Sequence, residues 1–154
     1  MSYFPTFLYR YGYDDIAYDY LMQLPKNPRC AYPEVSYGWM EALVEGYLGL
    51  NPEASTHSVS TLLRSLGEDN AEVRNVPVWN GYLTLRHDGH CQSTLFNQTG
   101  VSFDWLAKFY GHFDKALVDG KECPVEYATD KLGKEFSVVK VHLPNGTKSI
   151  IKVF

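Results

Sequence analysis

The chain has 154 residues, 45% hydrophobic and 21% charged, with 14 Lys plus Arg against 18 Asp plus Glu and a net charge of −4. That size and composition fit one globular domain, or one domain with an appendage. The acidic balance, with no basic stripe, argues against nucleic acid as a partner. No apolar run reaches the roughly 18 residues that would suggest a membrane span. The first residues, MSYFPTFLYR, lack the basic stretch and apolar core of a signal peptide.

Phe4 to Tyr11 reads as a short helix stopped at Gly12. Asp14-Asp15 then marks a helix start, with acids at the positive end of the dipole. Ile16, Ala17, Tyr20, Leu21 and Leu24 follow at helical spacing, and Pro25 and Pro28 end the run. The stretch CAYPEVSYGWMEALVEGYLGLNP, residues 30–52, predicts a third helix that is apolar nearly all the way round. Pro33 suits its first turn. Val35, Trp39, Leu43 and Tyr47 form one stripe, with Ser36, Met40, Val44 and Leu48 beside it. Gly38 and Gly46 each cost about 1 kcal/mol against Ala, which a closely packed neighbouring helix would explain. Gly49 and Asn51-Pro52 stop the helix. A helix apolar on most faces belongs inside a larger helical assembly, so this one predicts neighbours beyond the two short helices before it.

From about Ala54 the hydrophobic period changes to two. Val101, Phe103, Trp105, Ala107 and Phe109 alternate with mostly polar residues, as do Leu83 and Leu85, Val139 to Leu143, and Ile151 and Val153. Asn80-Gly81, Asp88-Gly89, Thr99-Gly100, Asp119-Gly120 and Asn145-Gly146 mark the turns, where both residues of such pairs tolerate positive φ. The expected fold is mostly β. Two or three N-terminal helices, residues 1–53, lie beside an antiparallel β-sandwich or jelly-roll of about eight strands, residues 54–154. With no flexible linker between them, the two parts are expected to pack together.

Sites are sparse. Cys30, Cys91 and Cys123 are far apart and in no CxxC pair, so neither a disulfide framework nor a zinc site is expected, and no cofactor is implied. His87-Asp88-Gly89-His90 reads as a hairpin tip rather than a metal site. The triplets at Asn97 and Asn145 fit the glycosylation pattern, which matters only in a secreted eukaryotic chain. Glu34, in the first turn of the third helix beside Tyr32 and Trp39, is the one carboxylate in a suggestive setting, although dipole complementation also accounts for it. Glu41 and Glu45 share a polar helix edge. The many aromatics, twelve Tyr, eight Phe and three Trp, suit a sandwich core first and sugar stacking second. Trp105 lies on an apolar face and reads as core. Trp79 and Tyr82, with Tyr32, are the candidate carbohydrate contacts.

The order of these elements resembles the C-terminal end of glycoside hydrolases with an (α/α)6 barrel, the α-L-rhamnosidase-like architecture among them. The stretches that carry it are YPEVSYGWMEALVEGYLGLNP, LLRSLGEDNAEVRNVPVWNGYLTLRHDG, KALVDGKECPVEY and FSVVKVHLPNGTKSIIKVF. The resemblance implies that the apolar helix packs on barrel helices this chain lacks. It also implies that the sandwich supports a catalytic barrel, and that the chain alone is inactive, Glu34 lacking the second carboxylate that glycosidases use. A parent enzyme acting on polysaccharide would be exported. Two other functions fit the residues: a carbohydrate-binding sandwich, and an interaction protein docking through its apolar helices on a partner or a second copy.

Overall fold

The computed structural model describes residues 2–26, 32–67 and 70–154. Pro28 and Cys30 of the sequence reading lie outside the described residues. The fold is mostly β, with helices at the N-terminus beside two sheets. Helix α1 spans Phe4–Arg10, α2 spans Asp14–Gln23 and α3 spans Pro33–Glu41. A single 3-10 turn at Leu24–Lys26 follows α2, around Pro25. Gly12, with φ +84°, makes the bend between α1 and α2.

The third helix is not one regular α-helix. From Ala42 to Tyr47 it widens into a π-helical turn, and the Leu48 N–H donates to the Leu43 carbonyl five residues back, at 2.9 Å. The carbonyls this loosens are each recaptured. Asn51 Nδ2 donates to the Glu45 carbonyl at 3.1 Å, Arg64 Nη1 to the Gly46 carbonyl at 2.7 Å, and the Arg64 backbone N–H to the Tyr47 carbonyl at 2.9 Å. The changed phase divides the helix in function. Within α3 only Gly38 is buried, whereas Ala42, Gly46, Leu48 and Leu50 are buried beyond it.

Both helix glycines are explained by close approach. A Cβ on Gly38 would lie 2.8 Å from the Ser2 carbonyl oxygen, and a Cβ on Gly46 would collide with the Tyr9 ring. Helix propensity alone favours Gly46→Ala by about 1 kcal/mol, but overpacking against a buried ring costs about 1–3 kcal/mol. Gly46→Ala is therefore expected to destabilise the helices by up to about 2 kcal/mol net. Urea denaturation checks this, and a rise in stability would show that Tyr9 yields freely.

Eleven strands follow among the described residues: β1 Asn51–Glu53, β2 Ser58–Thr61, β3 Asn70–Val78, β4 Gly81–Asp88, β5 Gln92–Gln98, β6 Phe103–Tyr110, β7 Ala116–Val118, β8 Lys121–Cys123, β9 Glu126–Thr129, β10 Glu135–Leu143 and β11 Lys148–Val153. One sheet has the order β1-β2-β6-β10-β9 and the other β3-β4-β5-β11-β7-β8. The count exceeds the expected eight because β1, β7 and β8 have only three residues each, too few to display a period. All pairs are antiparallel except β2 with β6, where Val59 lies opposite Trp105 in a parallel register. β1 already belongs to the sheet, so helices and sandwich share chain at residues 51–53.

The period of two is realised in β6, where Phe103, Trp105, Ala107 and Phe109 are buried and the residues between are half-buried. These meet Leu83, Leu85, Leu95, Val139, Leu143, Ile151 and Val153 in the main core. Trp105 is fully buried, and its indole N–H donates to Thr61 Oγ1 at 2.9 Å. A second, smaller core of Tyr9, Ala17, Leu21 and Ala42 holds the helices together, and Tyr47 packs against both cores.

The turns are placed as expected but do not all use both residues of the pair. Asp119 and Gly120 both have positive φ, the mirror-image turn that suits strand twist. At Asn80-Gly81 the positive φ falls on Trp79 instead, so the two-residue loop is Trp79-Asn80. Gly81 is needed for a different reason: its Cβ would meet the Gln98 carbonyl of the neighbouring strand.

Candidate functional site

The helices carry most of the exposed apolar surface. Eleven large hydrophobic residues between Tyr3 and Met40 are exposed, against five across residues 70–154. α1 presents Phe4 and Phe7, α2 presents Ile16, Tyr20 and Met22, and α3 presents Tyr37 and Met40. Phe4 and Tyr20 pack edge to face at 5.0 Å, continuing the surface from one helix to the next. Between the end of α2 and α3 lies an open apolar groove of about 370 Å³, lined by Leu24, Pro25, Val35, Ser36, Trp39 and Met40. The Trp39 indole N–H is buried beside it with no acceptor among the described residues.

Beneath that face, a buried polar junction ties the helices to the sandwich. Asp14, at the first position of α2, is only 6% exposed. Its Oδ2 accepts from Tyr110 Oη of β6 at 2.9 Å and from Lys134 Nζ at 3.0 Å, while Lys134 also donates to the Gly12 carbonyl. Its Oδ1 has no hydrogen bond, and the Arg64 Nε lies 3.9 Å away, an ion pair only. The Tyr9 hydroxyl is buried without a partner as well. Burial first, and the Asp14 charge second, raise the Tyr9 and Tyr110 phenols well above the usual tyrosine value, so both stay protonated at any physiological pH. The junction thus joins the start of α2 to β6 and to Lys134.

The sequence-predicted residues fall in several places. Glu34 is exposed in the first turn of α3, and Tyr32 is exposed at the N-cap position before it. Glu41 and Glu45 are both held by Arg10 of α1, whose Nη2 lies 3.4 and 3.0 Å from them. Trp79 is half-buried at one end of the sandwich, with ring contacts to His57 at 5.8 Å and Phe103 at 5.4 Å. Tyr82 is exposed on the outer face of β4, opposite the buried Leu83. The structure thus places Trp79 between the sheets and Tyr82 outside them.

The His87–His90 tip separates its two histidines. His87 is buried, with Nδ1 2.7 Å from Ser93 Oγ and Nε2 3.0 Å from the Leu48 carbonyl. A carbonyl only accepts, so Nε2 carries the proton and Nδ1 accepts from Ser93. His90 instead lies 2.7 Å from the Gly67 carbonyl. No group of three potential metal ligands meets among the described residues. Cys91 and Cys123 are unpaired, and Cys30 lies outside the described residues. Asn97 is fully buried. Its amide donates to the Val101 and Leu143 carbonyls and accepts from the Thr99 N–H and hydroxyl, which closes it to modification in the folded protein.

Comparison with known proteins finds no matching family model, no matching curated protein and no matching solved structure. Asp14 and His87 are the residues sequence reasoning missed. One reads locally as a dipole-complementing acid and the other as part of a surface turn. Their partners lie 96 and 39 residues away, so no local pattern could have found them.

Proposed function

We propose that this chain is a docking and support module: the β-sandwich holds three helices whose aromatic face receives further helices. This is the role that the terminal helices and sandwich of α/α-barrel glycoside hydrolases would give it, and on that reading the chain is not itself the catalyst. The observation that carries the proposal is the concentration of exposed large apolar residues between Tyr3 and Met40, eleven of them, seven on the helices and four flanking them. Clustered exposed apolar side chains, joined from α1 to α2 by the Phe4–Tyr20 contact, are the kind of surface that marks an interaction site.

The test is to replace Phe7, Tyr37 and Met40 together by glutamate. Binding of an apolar dye is expected to fall, while stability moves by less than about 1 kcal/mol, as for surface positions. A collapse of stability would make these residues core and end the proposal. So would glycosidase turnover by the isolated chain that Glu34→Gln abolishes.

A further inference from the structure

The junction beneath the helices holds three polar groups side by side with no bond between them. Tyr9 is 1% exposed and Asp14 is 6% exposed, and neither the Tyr9 hydroxyl nor Asp14 Oδ1 has a hydrogen-bond partner among the described residues. Arg64 completes the group. Its Nε lies 3.9 Å from Asp14 Oδ1, beyond hydrogen-bond distance, in a side chain that is 16% exposed. Gly46 brings Tyr9 and Arg64 together: a Cβ there would collide with the Tyr9 ring, and its carbonyl accepts from Arg64 Nη1 at 2.7 Å. Burial first, then the Asp14 charge, raises the Tyr9 phenol, and the Arg64 charge acts against them, so both ionic groups act on the hydroxyl at short range. A buried polar group without a partner forfeits its hydration, and most such groups in folded proteins are bonded to protein or to ordered water.

Independently of the docking reading, we infer that one internal water molecule binds among Tyr9 Oη, Asp14 Oδ1 and Arg64 Nε, joining α1 and α2 to the chain that follows β2. The groups fit a water in kind and number. The phenol O–H and the guanidinium N–H donate to its oxygen, and one of its hydrogens goes to the carboxylate, three bonds in all, the usual complement of a buried water. The spacing fits as well. Two ordinary hydrogen bonds that meet at a water hold the outer atoms about 4–5 Å apart, close to the 3.9 Å between Arg64 and Asp14. The bond from Arg64 Nη1 to the Gly46 carbonyl opposes a closer, direct approach. Charge disfavours other small occupants, since a cation would meet the guanidinium and an anion the carboxylate. Tyr110 and Lys134 bond to the other carboxylate oxygen, Oδ2, and do not compete for the site.

The experiment uses the whole chain. A high-resolution crystal structure is expected to show water density within hydrogen-bond distance of all three atoms. Tyr9→Phe supplies an independent sign, because it keeps the ring against Gly46 and removes only the hydroxyl. If the hydroxyl bonds a water, the variant loses that bond, and its urea midpoint is expected to fall. If the hydroxyl is buried without a partner, the variant sheds an unpaired polar group and its midpoint rises. Circular dichroism confirms that the variant folds, and its own crystal structure is expected to show the water displaced or lost.

No density at the site, or Arg64 Nε bonded directly to Asp14 Oδ1, overturns the inference. So does a midpoint that holds or rises in Tyr9→Phe. None of these outcomes bears on the apolar face of the helices, so the docking reading stands or falls by its own test.

Discussion

Asp14→Ala is expected to cost about 3–5 kcal/mol, the range for removing one partner of a buried ion pair. The carboxylate is the hinge pin between helices and sandwich. It takes a phenol from β6, an ammonium from Lys134 and the nearby charge of Arg64, whose side chain is itself 16% exposed. Without it Arg64 stays near the π-helical turn as an uncompensated charge, because its Nη1 is committed to the Gly46 carbonyl. Lys134 is 42% exposed and can turn to water, so its share of the loss is small. Asp14→Asn keeps an acceptor for Tyr110 and is expected to recover part of the loss. Guanidinium denaturation gives the magnitude, and hydrogen exchange tells where it falls: the amides of α1 and α2 should lose protection before those of β6. A loss under about 1 kcal/mol would mean that water already reaches the cluster.

Acidification is expected to remove about 3 kcal/mol through a single side chain, His87. Burial pushes its imidazole down to about 4, the bond to the Leu48 carbonyl only partly opposing this. An unfolded histidine titrates near 6.5. Between those values the unfolded chain binds a proton that the folded chain refuses, so stability rises with pH across the window. The contribution is fully present above about pH 6.5, falls steadily towards pH 4 and levels off below it. His87→Gln retains a donor for Leu48 and should flatten the slope in that window. Asp88 and Asp104, both held below the usual carboxylate range by hydrogen-bonded cations, titrate further down and leave the comparison clean. A variant with the slope of the parent would place the acid sensitivity elsewhere.

Two kinds of information in this chain differ in how openly they are written. Strands such as Phe103–Tyr110 and turns such as Asp119-Gly120 were legible because alternation and positive-φ chemistry are properties of neighbouring residues. The helix from Pro33 was legible as apolar but not as divided. Nothing within it announces the π-helical turn, whose loosened carbonyls accept hydrogen bonds from Asn51 and Arg64, outside the helix. The parallel pairing of β2 with β6 was equally hidden, since four residues of Ser58–Thr61 read the same in either direction. Of the candidate residues, Trp79 and Tyr82 are neighbours in sequence yet lie on different sides of a sheet. A short loop with positive φ at Trp79 turns its side chain inward.

The place of β11 has a consequence for how the protein is made. Residues Lys148–Val153 form the last strand in sequence order, yet they lie in the interior of their sheet, between β5 and β7. On the ribosome the edges of β5 and β7 must wait, open, until those residues emerge, and an open edge invites pairing with another chain. The contacts of the three helices with one another need no such delay, because they are local and can form first, ahead of the long-range bonds of Asp14 to the sandwich. Synthesis thus passes through a stage in which the helices are folded and one sheet is split in two by its missing strand, when a chaperone that shields strand edges would matter most to yield.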